Sequence, residues 1–312
     1  MSISAIKRLV KRLAHTVLVP YVLLRSTEVV WMQVLNRKAR MFFISHRPQL
    51  TREQQRLVDD LKRDGIAVTT LDALFPGEHA LLRLRSFADA AREQGYKDEG
   101  KPFLQMYWDR HPLIDLQNPF TTLVLRPQIL DIVNGYLALW TKFVFSALDR
   151  TTPVASGSMP LRSQNWHRDP EDKKMCKVFI YLNDVDEDAG PFVYVRGSHY
   201  GGSWRHLFPQ KPPRGSYPPP GAVESSIPAK DVAVCTAPAG TVIFADTSGL
   251  HRGGFAFVKE RLMYTADFIT MASLRPSQHR LPDGGVAGKE HLSPAGQFAI
   301  DLPKRRGFFI GY

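Results

Sequence analysis

A chain of 312 residues, 44% hydrophobic and 23% charged, is long enough for one large core and too apolar to be disordered. Its two cysteines, Cys176 and Cys235, argue against a disulfide framework and point to a reducing cytosol. The net charge of +11 is concentrated: residues 1–47 hold nine Lys/Arg against Glu28 alone, or +8, which leaves +3 for residues 48–312. The body therefore lacks the basic face of a nucleic-acid-binding surface.

Residues 1–47 read as a basic arm and 48–312 as the main domain. Ile3, Ile6, Val10, Leu13 and Val17 recur at helical spacing, with Lys7, Arg8, Lys11, Arg12 and His15 opposite them. Two uses fit this pattern. The helix either lies on an anionic membrane surface through residues 1–24 or docks its apolar stripe on the body. Pro20 interrupts the apolar run 16–24, Arg25 ends it, and no small-x-small site follows, so a signal peptide is not expected. The run is also too short to span a bilayer. The expected location is cytoplasmic, with peripheral contact at the inner face of a membrane as one use of the arm.

In the body, Thr51 and Gln54 form a capping-box pattern ahead of Leu57, Val58 and Leu61, with Gly65 as the stop. A strand follows at 66–70 and a second helix at 78–93. Residues 103–120 scatter their aromatics without a period and are left unplaced. Pro127 opens a third helix carrying Ile129, Leu130, Val133 and Leu137, and a strand follows over 142–148. Further strands are expected at 177–185, 192–195, 241–245 and 261–270. Helices before residue 141 and strands after it predict a mainly β fold backed by helices. Seven prolines within 208–228 mark a stiffened insertion, which fits a lid over a binding site or a solvent-exposed excursion without a role.

The stretch Gln164-Asn165-Trp166-His167-Arg168-Asp169 sets a histidine and an aspartate two residues apart, so in extended backbone both face one side. His251 adds a second imidazole. Two imidazoles and a carboxylate occupy one face of an Fe(II) ion and leave adjacent positions open. A bidentate 2-oxo acid and O2 would fill those positions, and a distal carboxylate would call for an arginine fork. Arg261, ten residues after His251, is the candidate, since Arg252 should point to the opposite face. His199, in Gly197-Ser198-His199, reads as a hydrogen-bonded turn histidine rather than a fourth ligand. Trp166, Phe179 and Tyr181 fit pocket walls or plain core equally.

These residues resemble the phytanoyl-CoA dioxygenase family of Fe(II)/2-oxoglutarate-dependent oxygenases. The matching motifs are Trp166-His167-Arg168-Asp169, Tyr181-Leu182-Asn183-Asp184-Val185, Gly190-Pro191-Phe192, Gly240-Thr241, His251-Arg252-Gly253 and Arg261, within about residues 50–270. The resemblance implies a double-stranded β-helix (jelly roll, cupin-like) core. It implies iron held by His167, Asp169 and His251, 2-oxoglutarate held by Arg261, O2 as cosubstrate, and hydroxylation of a small-molecule or lipid-linked substrate with release of succinate and CO2. The interval from His251 to Arg261 is about one residue shorter than is usual in that family. Two other readings stand beside it: a non-oxygenating metal-binding jelly roll (isomerase or sensor), and a membrane-associated binding protein with a vestigial site.

Overall fold

The structure, a computed structural model, describes residues 20–25, 27–98, 103–155, 157–210 and 215–302. The expected amphipathic segment 3–17 lies outside them. No helix among the described residues is long and apolar enough to cross a membrane.

Among the described residues ten strands form two antiparallel sheets. In chain order they are β1 (Ile66–Thr70), β2 (Lys97–Asp98), β3 (Leu104–Met106), β4 (Lys142–Thr151), β5 (Cys176–Tyr181), β6 (Phe192–Val195), β7 (Val232–Val234), β8 (Thr241–Ala245), β9 (His251–Gly253) and β10 (Arg261–Ile269). The major sheet runs β1-β8-β5-β10-β4-β3-β2, and the minor sheet runs β7-β6-β9. Side-chain alternation gives the major sheet two buried faces. Val178, Ile180, Phe244, Tyr264 and Phe268 face a core shared with the helices. Phe179, Tyr181, Ile243 and Met263 face the minor sheet, where they meet Phe192, Tyr194 and Cys235.

The helices form where local signals say they should. Thr51 Oγ1 accepts from Gln54 N at 3.2 Å while Gln54 Oε1 accepts from Thr51 N at 2.9 Å, closing the start of helix Arg52–Asp64. Gly65, at φ +77°, ends that helix in the left-handed region that glycine adopts without strain. Pro127 opens helix Pro127–Leu137. Residues 103–120, which show no period, contain the short strand β3 and helix Pro119–Val124. Three residues cannot display a period, so β3 is defined by its pairing with β4.

Part of the expected arm belongs to the core. The π-helical turn Val30–Leu35 and helix Arg37–Ser45 bury Trp31, Ala39 and Phe43. Trp31 Nε1 donates to Asp172 Oδ1 at 2.8 Å. Asp172 also accepts from Thr270 N and Oγ1 at 2.8 and 2.7 Å. This buried network ties residue 31 to the chain just beyond the His-x-Asp motif. Cys176 and Cys235 are both free and buried.

Candidate metal centre and its cavity

The stretch around His167 is held by one partner segment. His167 N donates to His251 O at 2.9 Å and His251 N to His167 O at 3.0 Å, while Asp169 N donates to Thr247 O at 2.9 Å. The sequence suggests a strand here. The structure has two isolated antiparallel bridges, His167 to His251 and Arg168 to Ser216, and the first sets both imidazoles side by side with ring centroids 4.2 Å apart.

Each imidazole is oriented by its own backbone. His167 Nδ1 lies 2.8 Å from Asn165 O, and His251 Nδ1 lies 3.0 Å from Gly249 O. A carbonyl only accepts, so in both rings Nδ1 carries the proton and Nε2 presents its lone pair. The two Nε2 atoms converge on Asp169: His167 Nε2 is 3.6 Å from Oδ1, and His251 Nε2 is 3.4 Å from Oδ2. All three side chains are buried, and their ligand atoms lie within 4.8 Å of one another. Burial, reinforced by neighbouring His251, holds the His167 pKa down to about 3, so the ring is neutral at physiological pH. Burial alone would raise the Asp169 carboxyl, but Lys177 and the two histidines drive it well below the usual range. The neutral His167 imidazole and the ionised Asp169 carboxylate are in the protonation states that a divalent metal requires of its ligands. The donor set fits Fe(II).

Lys177 went unnoticed in the sequence. Its Nζ donates to Asp169 Oδ2 at 2.6 Å. Lys177 shares the inward register of β5 with Phe179 and Tyr181, and a lysine in that register was the available signal. Burial opposes its charge, yet Asp169 and Asp267 hold its pKa above the ordinary lysine value.

Arg168 points away from the triad, as alternation requires, and its guanidinium is enclosed by backbone. It donates to the carbonyls of Phe208 (2.9 Å), Ser198 (2.5 Å), Ser248 (2.8 Å), Trp204 (3.3 Å) and Leu207 (2.9 Å). One side chain thus fixes three chain segments beneath the His167, Asp169 and His251 triad. Hydrogen bonds from a charged donor contribute about 1.5–3 kcal/mol each, and stranded carbonyls add a penalty. Arg168→Met is therefore expected to destabilise the fold by about 4 kcal/mol or more, read as a fall in the denaturant midpoint. A midpoint within error of the parent would remove Arg168 from this role.

The proline-rich insertion packs over the motif. Gln210 Nε2 donates to Asp169 O, Arg168 N donates to Ser216 O at 3.0 Å, and Tyr217 stacks on His167 with centroids 5.6 Å apart and planes 12° apart. A Cβ at Gly215 would sit 2.2 Å from Arg168 O, so only glycine allows this approach. Trp166 Nε1 donates to Glu224 Oε1 at 2.7 Å, and Arg252 lies over the Trp166 ring.

A cavity of about 300 Å³ opens from the triad along the inner face of β10. Of the three aromatic wall candidates only Phe179 lines it. Trp166 belongs to a separate small core, and Tyr181 is buried between the sheets with its hydroxyl donating to Cys235 O. Arg261 stands at one end. It is buried, with Nη1 donating to Gly190 O, Nη2 to Thr151 Oγ1 at 3.2 Å, and Nε without a partner. Among the described residues it forms no ion pair with a carboxylate. Desolvation lowers its pKa from the ordinary arginine value. A buried guanidinium of this kind fits the distal carboxylate of 2-oxoglutarate. His199, by contrast, is a structural residue with Nε2 3.2 Å from Lys62 O. His279 is another, with Nε2 3.0 Å from Ser146 Oγ.

No protein-family model and no curated protein matches the sequence. Solved structures do match the fold. The epimerase SnoN, in complex with Fe3+, alpha ketoglutarate and nogalamycin RO, superposes with a TM-score of 0.52 at 14% identity, over 70% of this chain and 84% of that one. A second structure, described as the non-heme alpha ketoglutarate dependent epimerase SnoN from nogalamycin biosynthesis, gives 0.52 at 15% identity, over 70% and 83%. The chain has the SnoN fold. That shared fold is an antiparallel, sheet-rich one, and in this chain the triad and Arg261 line one cavity within it.

Proposed function

We propose that the protein is an Fe(II)- and 2-oxoglutarate-dependent oxygenase of the phytanoyl-CoA dioxygenase type, built on a double-stranded β-helix. In this reading His167, Asp169 and His251 hold the iron, and Arg261 holds 2-oxoglutarate. The observation that carries it is the convergence of two Nε2 lone pairs and one ionised carboxylate in a cavity that also contains a buried guanidinium without a carboxylate partner.

When bound, the iron with 2-oxoglutarate and O2 supplies an oxidant able to attack a C–H bond, and the protein supplies geometry and a dry pocket. The Nδ1 hydrogen bonds of His167 and His251 fix ring orientation and tautomer. Lys177 holds one oxygen of Asp169 and keeps the carboxylate charged. Arg261 pairs with an anion at a fixed distance along β10, which orients the cosubstrate relative to the triad. Tyr217, stacked on His167, helps exclude water from that side. The expected reaction is hydroxylation of a small-molecule or lipid-linked substrate with release of succinate and CO2. SnoN is described as an epimerase, so the fold accommodates a different outcome. Succinate formed from 2-oxoglutarate, dependent on both Fe(II) and O2, tests the assignment. A folded, iron-loaded protein that forms none with any substrate and also fails to bind 2-oxoglutarate contradicts it.

We further propose that the N-terminal region rests on an anionic membrane surface. Residues 20–24 of the expected contact segment 1–24 are described, and Tyr21 and Leu24 are exposed there. Val34, Met41 and Ile44 continue an exposed apolar row beside Arg37, Lys38 and Arg40. Apolar insertion with a basic rim matches an interfacial helix. Cosedimentation with vesicles containing phosphatidylserine should exceed that with neutral vesicles and decline with salt. Equal recovery on both would remove the membrane reading.

A further inference from the structure

The cavity continues past the triad to a second charged cluster at the far end of β10. Arg261, Met263, Thr265 and Asp267 all face inward and line the cavity, so Arg261 and Asp267 stand about 20 Å apart along one strand. Asp267 is opposite Lys177 on β5 and Phe145 on β4. Lys177 is already committed to Asp169, and Glu171 Oε1 is taken by Arg275 at 2.7 Å. Asp267 is left without an ion pair among the described residues, and its Oδ1 is buried with no hydrogen-bond partner. Two further acceptors, Glu171 Oε2 and Gln278 Oε1, are buried in the same condition. All three residues line the one cavity.

Buried polar atoms normally have partners, and an unpaired buried carboxylate is costly to keep. At the Asp267 end three buried acceptors, Asp267 Oδ1, Glu171 Oε2 and Gln278 Oε1, lack donors. Apolar walls line the rest of the cavity: Val144 and Phe145 near Asp267, Phe179 opposite Thr265, and Phe103 and Met106 beside the Asp149–Thr151 stretch near Arg261. A guanidinium thus stands at one end of the cavity, and three unpaired acceptors stand at the other beside Lys177 and Arg275.

We propose that the substrate carries a cationic nitrogen, an alkylammonium group on an apolar body, anchored by Asp267 with Glu171 and Gln278 accepting its remaining hydrogens. This rests on the reading that the triad holds iron and Arg261 holds 2-oxoglutarate. The two charged groups then sort by end: the cosubstrate carboxylate goes to Arg261, and the ammonium goes to Asp267.

The test uses the full chain loaded with Ni(II) and 2-oxoglutarate, and three probes of one length: n-butylamine, 1-butanol and butyrate. Their affinities are read by ligand-observed NMR. Butylammonium is expected to bind at least tenfold more tightly than butanol, and butyrate not to bind. In Asp267→Asn the preference for the amine should fall to within about twofold, and Glu171→Gln should weaken it several-fold. Equal affinity of the parent for all three probes overturns the proposal, as does a preference unchanged in a folded Asp267→Asn protein. If Asp267→Asn does not fold, the selectivity of the parent decides alone. Anaerobic Fe(II) and 2-oxoglutarate binding is measured on the same preparations. A preserved iron–cosubstrate absorption band without amine preference defeats only the substrate assignment. Amine preference without the band defeats only the iron assignment.

Discussion

His167→Ala and His251→Ala should each lower Fe(II) affinity by more than about 100-fold and abolish succinate formation, while the protein stays folded. Losing a partner that merely orients a ligand reduces metal affinity by about 10–100-fold, and removing the ligand itself must exceed that. Stability should barely change, because each ring donates only to its own backbone carbonyl, Asn165 O or Gly249 O, a bond contributing about 1 kcal/mol. Asp169→Ala is a different case. It removes the 2.6 Å partner of buried Lys177 and leaves only the more distant Asp267 and Glu171 charges near it, so it should destabilise by up to about 3–5 kcal/mol. The double variant Asp169→Ala/Lys177→Met should recover much of that stability without recovering metal binding. Calorimetric Fe(II) titration and denaturant midpoints separate the two effects. Undiminished iron affinity in either histidine variant contradicts the ligand assignment.

Arg261→Leu should raise the half-saturating concentration of 2-oxoglutarate by roughly 30-fold to several thousand-fold. Truncating one partner of a buried charged pair costs about 2–5 kcal/mol, and each 1.36 kcal/mol is a factor of about ten. Iron affinity should stay at the parent level, because Arg261 touches Gly190 and Thr151 and none of the three ligands. Arg261→Lys keeps the charge but loses the fork, so it should fall between parent and Leu. Without cosubstrate, Arg261→Leu should be no less stable than the parent, since it removes a buried guanidinium lacking a counter-ion. A half-saturation value within twofold of the parent would move the 2-oxoglutarate site elsewhere.

Much of this was legible wherever a signal is local. Thr51 and Gln54 name their helix start because a capping box closes within one turn. The spacing His167-x-Asp169 predicts a shared face, and one bridge to His251 suffices to produce it. Arg261 and Arg252 separate as alternation demands, one lining the cavity and the other lying over Trp166. What stayed hidden depends on distant partners. β7 and β9 are three residues each and exist through their pairing with β6. Arg168 reads as part of a motif, but its task is to hold carbonyls from residues 198 to 248, which no spacing shows. Lys177 and Asp267 look like polar ends of strands until the register sets them opposite each other inside the cavity. The docking of residues 30–45 was likewise invisible, because a basic composition does not reveal that Trp31 reaches a buried carboxylate at residue 172.

The most direct test is an anaerobic titration of Fe(II) and 2-oxoglutarate into the full chain, followed by visible absorption. Simultaneous chelation of iron by 2-oxoglutarate at the triad should give a metal-to-ligand charge-transfer band. That band should be lost in His167→Ala and should demand far more 2-oxoglutarate in Arg261→Leu. A folded protein that develops no band when both are present at saturating concentration would contradict the account at its centre.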